Sequence, residues 1–271
     1  MFNQSSLSFI HPDANIGIGV EILPFCYIDK DVVIGDHCKI GPNVTILSGT
    51  ILGNHCEVFP GAVLGAIPQD LKFEGESTNL AIGNNTKIRE FVTVNKGTKE
   101  TGTTIIGNNC LLMAYSHVAH DCVLGNYVIL SNGVQLAGHV HIDDSAILGG
   151  NVLVQQFCKI GRYSFIGGAG LVRNNVPPFV RVAREPLSYI GVNKIGLARN
   201  GFHQSEIENI KKIYNLLFIQ NKSLEKGIHK IMETMESSLF KDEIISFVSN
   251  SKSLIAGFRS HSIPIENENN S

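Results

Sequence analysis

Aliphatic residues recur at every sixth position along most of this chain. The run starts at Ile10 and keeps its phase to Leu64, reappears between 82 and 94, and extends from Ile106 to Val172. The position four residues after each aliphatic is small or slim, and a glycine often follows the aliphatic directly. A six-residue period belongs neither to an α-helix nor to an ordinary alternating strand. It predicts the parallel β-helix that hexapeptide repeats form.

The period also predicts which residues meet in space. Three hexads make one triangular coil, so residues 18 positions apart stack on each other in successive coils. The aliphatic side chains point into a narrow prism, and the slim residues lie where its wall turns. Each coil buries apolar surface only against its neighbours, so stability adds along the stack. We therefore expect an all-β solenoid over residues 1–190.

Carboxylates break the pattern at two places. Positions 70, 76 and 100 should be aliphatic but carry Asp70, Glu76 and Glu100. A carboxylate cannot point into an apolar prism without a large desolvation cost. The chain is therefore expected to leave the coil in excursion loops near 66–80 and 95–104. Loops on a rigid scaffold commonly carry binding or catalysis, although simple surface decoration stays an alternative.

The repeat ends after Val172, where several prolines act as breakers. Downstream the apolar spacing becomes helical, which predicts a small C-terminal helical domain over residues 191–271. One apolar stripe contains Ile207, Ile210, Ile213, Tyr214 and Leu217.

The boundaries of three helices follow from local signals. Ser205 and Glu208 have the spacing of a capping box, so the first helix is expected to start there. A second helix is expected after Ser223, and a third over residues 241–248. The polar tail from His261 is expected to be disordered.

Composition narrows the class of protein. The formal net charge is −2, which favours neither nucleic acid nor an anionic membrane as a partner. No apolar run approaches the roughly 18 residues of a spanning helix, and the N-terminus lacks the features of a signal peptide. We therefore expect a cytoplasmic protein with no integral membrane segment.

All cysteines occupy the slim position of the hexad. That phase favours small buried hydrophobes over a disulfide framework or a zinc site, and reduced thiols suit a cytoplasmic protein. The set is Cys26, Cys38, Cys56, Cys110, Cys122 and Cys158.

Three histidines lie off the inward positions of the repeat, so they point outward. They are His117, His120 and His139, and Gly138 and Gln156 stack above His120 at intervals of 18 residues. An imidazole is the side chain best suited to proton transfer near neutral pH, and a bare backbone N–H could stabilise a developing oxyanion. The alternative is a set of solvated surface histidines.

The residue that follows His120 is a carboxylate, Asp121. Neighbouring residues of a strand face opposite ways, so the sequence leaves open whether Asp121 orients His120.

Several longer segments resemble the acyl-carrier-protein-dependent UDP-N-acetylglucosamine O-acyltransferases, a family within the left-handed hexapeptide acyltransferases. The segments run through the coils and into the helical region. They are 69–76 (QDLKFEGE), 88–90 (IRE), 115–122 (YSHVAHDC), 136–140 (LAGHV), 156–158 (QFC), 176–179 (VPPF), 191–193 (GVN) and 199–202 (RNGF).

The resemblance implies a left-handed coil and a homotrimer with an active site in each cleft between prisms. It implies the first step of lipid A biosynthesis, with the acyl donor carried on the phosphopantetheine of acyl carrier protein and no other cofactor. His120 matches the family's general base, which would take the proton from the 3-hydroxyl of a UDP-sugar. That hydroxyl would attack the thioester of an (R)-3-hydroxyacyl carrier protein, and Gly138 would supply the oxyanion N–H.

The resemblance also assigns substrate contacts, and it implies no metal. Gly168 matches the position that limits acyl length, where a glycine leaves room for a long chain. The residues that match substrate-binding positions are Asp70, Lys72, His117, His139, Gln156, Asn193 and Arg199.

Four residues depart from the family pattern. Asn95 and Gln155 stand where the family often has histidine, and Ile195 and Asn200 replace charged residues near Arg199. The exact acceptor is therefore open, and a 3-amino UDP-sugar that accepts an N-acyl group is an alternative.

Other functions fit the scaffold as well. It could serve an N-acyltransferase for another sugar or an amino acid, a zinc hydratase like the γ-carbonic anhydrases, or a non-catalytic β-helix. For carrier-protein docking, the sequence offers a basic patch of Arg162, Arg173, Arg181, Arg184, Lys211 and Lys212.

Overall fold

The structure is a computed structural model that describes residues 3–221, 223–251 and 253–254. Before the first excursion it has strands β1 (Asn3–Gln4), β2 (Phe9–Ile10), β3 (Asn15–Ile16), β4 (Glu21–Ile22), β5 (Tyr27–Ile28), β6 (Val33–Ile34), β7 (Lys39–Ile40), β8 (Thr45–Ile46), β9 (Thr50–Leu52), β10 (Glu57–Val58) and β11 (Val63–Ala66). Between the excursions lie β12 (Asn79–Ile82), β13 (Lys87–Ile88) and β14 (Thr93–Asn95).

The second excursion is followed by β15 (Thr103–Ile106), β16 (Leu111–Leu112), β17 (His117–Val118), β18 (Val123–Leu124), β19 (Ile129–Leu130), β20 (Gln135–Leu136), β21 (His141–Ile142), β22 (Ile147–Leu148), β23 (Leu153–Val154), β24 (Lys159–Ile160), β25 (Phe165–Ile166), β26 (Leu171–Val172), β27 (Val180–Ala183) and β28 (Ser188–Val192). The expected short strands of a solenoid are confirmed.

Every third strand joins the same sheet, so the chain winds around three faces. Sheet 1 contains β1, β4 and so on to β25, then β27 and β28; sheet 2 runs from β2 to β26, and sheet 3 from β3 to β24. The pairs between coils are parallel, and the aliphatic residues of the repeat stack in register inside the prism, as Leu112 does on Leu130. The expected parallel β-helix is confirmed.

The prism has three corners, which we name by the sheets they join. Corner 1/2 leads from sheet 1 to sheet 2, corner 2/3 from sheet 2 to sheet 3, and corner 3/1 from sheet 3 back to sheet 1. Residues at the corners often have a left-handed backbone, as do Asp121 and His139 with φ of 59°. Because of this backbone, side chains at a corner do not alternate as they would in a strand.

Corner 3/1 carries a ladder of side chains that the hexad analysis missed. Each side-chain oxygen accepts a hydrogen bond of 2.7–2.9 Å from a backbone N–H one coil earlier. The ladder satisfies turn amides that would otherwise lack partners. Its members are Asp36, Asn54, Asn84, Asn108, Asn126 and Asp144.

Both excursions occur where the carboxylates predicted them. The first fills the gap between β11 and β12, and the second the gap between β14 and β15. They are tied together, because the Lys99 N–H donates to Glu76 Oε1 at 3.1 Å and the Asn95 side chain donates to the carbonyl of Ile67 at 3.0 Å. The two excursions therefore form one unit against the prism.

After the hairpin of β27 and β28, the chain becomes helical. The helices are α1 (Lys194–Arg199), α2 (Gln204–Tyr214), α3 (Leu224–Thr234) and α4 (Leu239–Ser249), with a π-helical segment (Asn215–Ile219) directly after α2. The helices expected after Ser223 and over 241–248 are confirmed as α3 and α4. The short helix α1 was missed because its apolar pattern covers less than two turns.

The expected Ser205–Glu208 capping box is wrong. Helix α2 begins one residue earlier at Gln204, and Glu206 accepts a hydrogen bond of 2.7 Å from the backbone N–H of His203. Ser205 therefore lies inside the first turn.

The helical region packs on the last coils through buried apolar and aromatic residues. The apolar stripe predicted on α2 and the segment after it is buried. The hydroxyl of Tyr214, the last residue of α2, donates to the carbonyl of Pro178 at 2.6 Å. Arg162 on corner 3/1 makes a bidentate pair with Glu243 of α4 at 2.6 Å. These contacts fix the helices against the end of the prism.

The strands end at Val192 and α1 begins at Lys194, close to the division expected at residues 190 and 191, which stays a prediction. The tail from His261 lies outside the described residues. Among the helices that are described, none combines the length and the apolar character needed to cross a bilayer.

Candidate active site

His120 lies on corner 2/3, between β17 and β18, and is only 7% exposed. The neighbouring Val118 and Cys122 fill the prism, so His120 points away from the interior as the repeat predicts. The excursions cover it, however, so it is not a solvated surface histidine. A buried imidazole outside the core needs polar partners.

Asp121 provides the first of these partners. Its Oδ2 lies 2.8 Å from Nδ1 of His120. The sequence left this pairing open because strand neighbours face opposite ways. The left-handed backbone of Asp121 at the corner turns its carboxylate toward the imidazole instead.

Asp121 is itself held by the second excursion. It accepts hydrogen bonds from the backbone N–H and the hydroxyl of Thr98, at 2.9 and 2.7 Å, and from the hydroxyl of Thr101. Burial alone would raise the pKa of Asp121, but the hydrogen bonds from Thr101, His120 and Thr98 outweigh it and lower the pKa to about 2. Asp121 is therefore a carboxylate throughout the neutral range. The hexad period does not reveal Thr98 and Thr101, because they lie outside the repeat.

Gly138 lies directly against the imidazole of His120. A Cβ at this position would come within 2.6 Å of Cε1 and 2.7 Å of Nε2 of His120, so glycine is required for the close approach. Within the described residues, the N–H of Gly138 donates no backbone hydrogen bond. An N–H free beside an imidazole can stabilise an oxyanion.

The predicted column above His120 is confirmed. The N–H of His139 donates to the carbonyl of His120 at 3.0 Å, and the N–H of Phe157 donates to the carbonyl of Gly138 at 3.3 Å. Gln156 follows one coil further and is exposed. Corner 2/3 therefore presents His120, Gly138 and Gln156 along one edge.

His139 lies on the same corner. Its ring is perpendicular to that of His120 at 5.2 Å and stacks on Phe157 at 4.7 Å. Its Nε2 lies 3.4 Å from Glu100 Oε2 and 3.6 Å from Asp121 Oδ2. His139 therefore links the carboxylate of Asp121 to the exposed edge of the second excursion.

His117 lies below His120 on the outer face of sheet 2. Its Nδ1 is 2.7 Å from the hydroxyl of Thr93. Burial lowers the pKa of His117, and the nearby His120 adds to this effect, so His117 is neutral at neutral pH. A neutral imidazole can donate or accept a hydrogen bond, but it adds no charge.

The first excursion brings Asp70 to the site. Asp70 Oδ2 lies 4.0 Å from Nε2 of His120, on the side of the ring opposite Asp121. The backbone N–H of Lys72 donates to the other Asp70 oxygen at 3.0 Å, and Lys72 is exposed. Asp70 and Lys72 therefore rim the same edge as His120.

Asn95 differs from the other residues at this edge, because it is only 2% exposed. Its amide donates to the carbonyl of Ile67, while its Oδ1 is buried without a hydrogen-bond partner in the described structure. Asn95 holds the start of the first excursion. Gln155, in contrast, is exposed.

The remaining predicted residues lie on other corners of the prism. Gly168 is on corner 1/2, between β25 and β26. Asn193 caps α1, where its Oδ1 accepts from the N–H of Gly196 at 3.3 Å and its Nδ2 donates to the carbonyl of Tyr163 on corner 3/1 at 2.9 Å. A single protomer therefore does not bring these residues to His120.

Arg199 is exposed in the last turn of α1. Ile195 is exposed on the same helix, and the side chain of Asn200 donates back to the carbonyl of Gly196 at 2.8 Å. Arg199 thus belongs with Asn193 beside corner 3/1.

Only part of the basic patch predicted for carrier-protein docking is free of ion pairs within the described residues. Arg162 forms an ion pair with Glu243 and lies 5.0 Å over the ring of Phe179. The prediction that Arg162 belongs to the docking patch is therefore wrong. Arg173 pairs with Glu185 at 3.1 Å, and Lys211 with Glu208 at 3.6 Å. Arg181, Arg184 and Lys212 are exposed.

Three side chains could share a metal ion, since the ligand atoms of His120, Asp121 and His139 lie within 4.8 Å of one another. In the structure, however, the Asp121 oxygens accept hydrogen bonds and His120 is paired through Nδ1. An imidazole oriented by a carboxylate, with an N–H donor beside it, has the arrangement that general-base chemistry requires.

Comparisons with known proteins match both parts of the chain. The family described as bacterial transferase hexapeptide (six repeats) matches residues 31–66 and 103–138. The family described as UDP N-acetylglucosamine O-acyltransferase, domain 2, matches residues 175–256. The two matches fall on the β-helix and on the region that contains the helices.

Individual relatives extend the likeness along the chain. The acyl-[acyl-carrier-protein]–UDP-N-acetylglucosamine O-acyltransferase of Nautilia profundicola is 43% identical over 192 residues, which are 70% of this chain and 74% of the relative. The crystal structure of the UDP-N-acetylglucosamine acyltransferase LpxA from Bacteroides fragilis is 47% identical with a TM-score of 0.91, and covers 93% of this chain and 98% of that one. The corresponding Francisella novicida structure is 36% identical with a TM-score of 0.89, and covers 93% of each chain.

These likenesses span both the prism and the helical region, and they confirm the left-handed coil expected from the resemblance. The chain belongs to the family of the acyl-[acyl-carrier-protein]–UDP-N-acetylglucosamine O-acyltransferases.

Proposed function

We propose that the protein transfers an (R)-3-hydroxyacyl group from acyl carrier protein to the 3-hydroxyl of UDP-N-acetylglucosamine, the first step of lipid A biosynthesis. The relatives carry this donor and acceptor in their names. The observation that carries the proposal is the His120–Asp121 pair with the N–H of Gly138 beside its imidazole.

Each group has a role in the reaction. Nε2 of His120 takes the proton of the sugar hydroxyl, and the oxygen attacks the carbonyl carbon of the thioester. The N–H of Gly138 stabilises the oxyanion of the tetrahedral intermediate. The intermediate then collapses, the carbon–sulfur bond breaks, and the imidazolium returns its proton to the phosphopantetheine thiol. General-base assistance of this kind contributes about 10²–10⁴ in rate.

Asp121 supports the base without entering the reaction. As a carboxylate, it accepts a hydrogen bond from Nδ1–H of His120, which leaves Nε2 free to act as the base. It also stabilises the imidazolium that forms. No other cofactor has a role in this scheme, and the acyl group arrives on the phosphopantetheine of the carrier protein.

A homotrimer with sites between protomers explains the distribution of the remaining residues. His120, Gly138, Gln156 and the nearby Asp70 belong to corner 2/3. Gly168 lies on corner 1/2, and Asn193 with Arg199 lies beside corner 3/1. If all of them serve one site, a second copy must contribute the residues of the other corners.

In this arrangement, Asp70, Lys72, His117, His139 and Gln156 contact the sugar nucleotide from one protomer. Arg199 of a neighbouring protomer is suited to the diphosphate because guanidinium matches phosphate geometry. Asn193 contributes by holding α1 in place through its cap. Gly168 limits the acyl chain, and its lack of a side chain leaves room for a long one.

The carrier protein docks on a smaller basic surface than the sequence predicted. Arg181, Arg184 and Lys212 are its exposed members without an ion pair in the described structure, and carrier proteins are acidic. Activity should therefore fall with rising ionic strength because salt screens surface charges. Indifference to salt would count against this docking surface. A carrier-protein donor also fits the cytoplasmic location expected from the sequence, which stays a prediction.

Mass spectrometry of the product tests the proposed function. The purified protein is incubated with a mixture of (R)-3-hydroxyacyl carrier proteins of several chain lengths, with UDP-N-acetylglucosamine and its 3-amino analogue as acceptors. We expect an O-acylated UDP-N-acetylglucosamine with a long acyl chain. Exclusive N-acylation of the 3-amino sugar would support the alternative acceptor, and no acylated nucleotide sugar would contradict the proposal.

A further inference from the structure

Three threonines surround the carboxylate that pairs with His120. Thr98 and Thr101 belong to the second excursion, and Thr104 lies in β15. The Asp121 side chain is fully buried, Thr104 is fully buried and Thr98 is 6% exposed. The Asp121 N–H donates to Thr104 Oγ1 at 2.8 Å, so backbone and side chain of Asp121 are both held.

The hydrogen bonds divide between the two carboxylate oxygens. Oδ1 accepts from the Thr98 N–H at 2.9 Å and from the Thr101 hydroxyl. Oδ2 accepts from the Thr98 hydroxyl at 2.7 Å and lies 2.8 Å from Nδ1 of His120. Rotation of the carboxylate would break all of these contacts at once, so the direction of Oδ2 is fixed.

We infer that Thr98 and Thr101 are positioning residues for acyl transfer, which hold the Asp121 carboxylate so that Oδ2 is aimed at Nδ1 of His120. The inference rests on the proposed function of His120 as the general base. Neither threonine touches the substrate in this scheme. They act through Asp121, and they give the second excursion a function in the reaction.

The threonines are anchored to the loop that carries Asp70. The N–H of Lys99, next to Thr98, donates to Glu76 Oε1 at 3.1 Å, and Lys99 Nζ lies 3.8 Å from Glu74. The first excursion therefore supports the second, and the two loops set the positions of both carboxylates near His120.

Other titratable side chains surround the Asp121–His120 pair. Asp121 faces His120 and, at 3.6 Å, Nε2 of His139. Glu100 reaches His139 at 3.4 Å, and Asp70 reaches Nε2 of His120 at 4.0 Å. Each hydroxyl that donates to Asp121 competes with these imidazoles for the carboxylate.

Removal of the hydroxyls has two expected effects. The carboxylate loses its fixed direction, so kcat should fall about tenfold in each valine variant, with little change in KM for UDP-N-acetylglucosamine. With fewer donors, the carboxylate also becomes more basic and stabilises a protonated imidazole more strongly. The acid limb of the profile of kcat/KM against pH should therefore move to higher pH.

The test compares Thr98→Val and Thr101→Val with the hydroxyl-retaining Thr98→Ser and Thr101→Ser. Steady-state kinetics of the full protein with acyl carrier protein and UDP-N-acetylglucosamine are measured from pH 5 to 9, together with Tm. Thr45→Val is the control, because Thr45 lies in β8 on the outer face of sheet 2, outside both excursions, and it should match the wild type.

The inference is supported if the valine variants lose kcat and shift the acid limb while the serine variants restore both. It is overturned if the valine variants behave like an active wild type, or if the serine variants are as impaired as the valine ones. A wild type that does not acylate UDP-N-acetylglucosamine would overturn the proposed function itself, and the two failures are thus distinguishable.

Discussion

At Gly138, the backbone of one coil and the imidazole of the next lie closer together than any side chain would permit. The contact shows what stacked coils contribute to the proposed site, because residues 18 positions apart are held at a fixed separation by the sheet hydrogen bonds. The column of His120, Gly138 and Gln156 follows from the repeat alone. The pairing of His120 with Asp121 does not follow, since it depends on the left-handed backbone of a corner residue.

Gly138→Ala should displace the imidazole of His120. The added Cβ would lie 2.6 Å from Cε1, so the ring must move away from its partner and from the oxyanion N–H. We expect kcat/KM to fall about 10²-fold, since small displacements of a catalytic group have effects of that size. Thermal unfolding should change little.

Gly150→Ala is the matched control for folding, because its Cβ would meet nothing closer than the carbonyl of Asn132 at 3.5 Å. Equal Tm values for the two variants, with activity lost only in Gly138→Ala, would support the steric argument. Wild-type activity in Gly138→Ala would refute it.

Asp121→Asn should remove most of the activity. An amide nitrogen in place of one carboxylate oxygen would face a donor and would no longer accept a hydrogen bond from Nδ1–H of His120. The expected loss in kcat is on the order of 10²–10⁴, as for carboxylates that orient a catalytic imidazole. Steady-state kinetics measure it, and a loss of less than threefold would be incompatible with the role assigned to Asp121.

Asp121→Asn should also change how the free energy of unfolding depends on pH. The folded pKa of Asp121, about 2, lies below the ordinary 3.8, so the unfolded chain binds this proton more tightly than the folded protein. The contribution of ionised Asp121 to the free energy of unfolding is complete above pH ~4 and is lost as the pH falls toward ~2. The free energy of unfolding of the wild type relative to Asp121→Asn should therefore decline over that range in urea titrations, and a constant difference would argue against the low pKa.

At the scale of the elements, the hexad period predicts almost all of the solenoid. It identifies the inward residues, the buried cysteines and the two places where the chain leaves the coil. It misses the corner ladder of Asp and Asn side chains, because their spacing of 18 or more residues is hidden beneath the stronger period of six. The helical signals misplace the start of α2, because Ser205 and Glu208 only imitate a capping box, and they miss α1, which covers less than two turns.

Tyr214→Phe should weaken the contact between α2 and the end of the prism. The substitution removes the buried hydrogen bond of 2.6 Å to the carbonyl of Pro178, which is left without that donor. The expected cost is about 1–2 kcal/mol in the free energy of unfolding. Tyr127→Phe, at an exposed tyrosine, should have no effect in the same denaturant titration. Equal stability of the two variants would show that the hydroxyl contributes nothing.

At the scale of the whole molecule, the predicted site residues occupy three different edges of one prism. The repeat places His120, Gly138, Gln156 and Gly168 on their corners, but it contains no information about how prisms associate. The resemblance implies the trimer, and the placement of these residues on different edges of one protomer supports a site that two copies share. In the proposed trimer, His120 on corner 2/3 of one protomer and Arg199 beside corner 3/1 of a neighbour serve the same site.

Complementation between two inactive variants tests this arrangement most directly. His120→Ala and Arg199→Ala are purified separately and as mixed oligomers from co-expression, and acyl transfer to UDP-N-acetylglucosamine is measured. If each site combines His120 of one protomer with Arg199 of a neighbour, random mixing leaves about a quarter of the sites intact, and activity should rise to about that fraction of the wild type. Mixed oligomers no more active than the average of the two parents would contradict a site built by His120 and a neighbouring protomer.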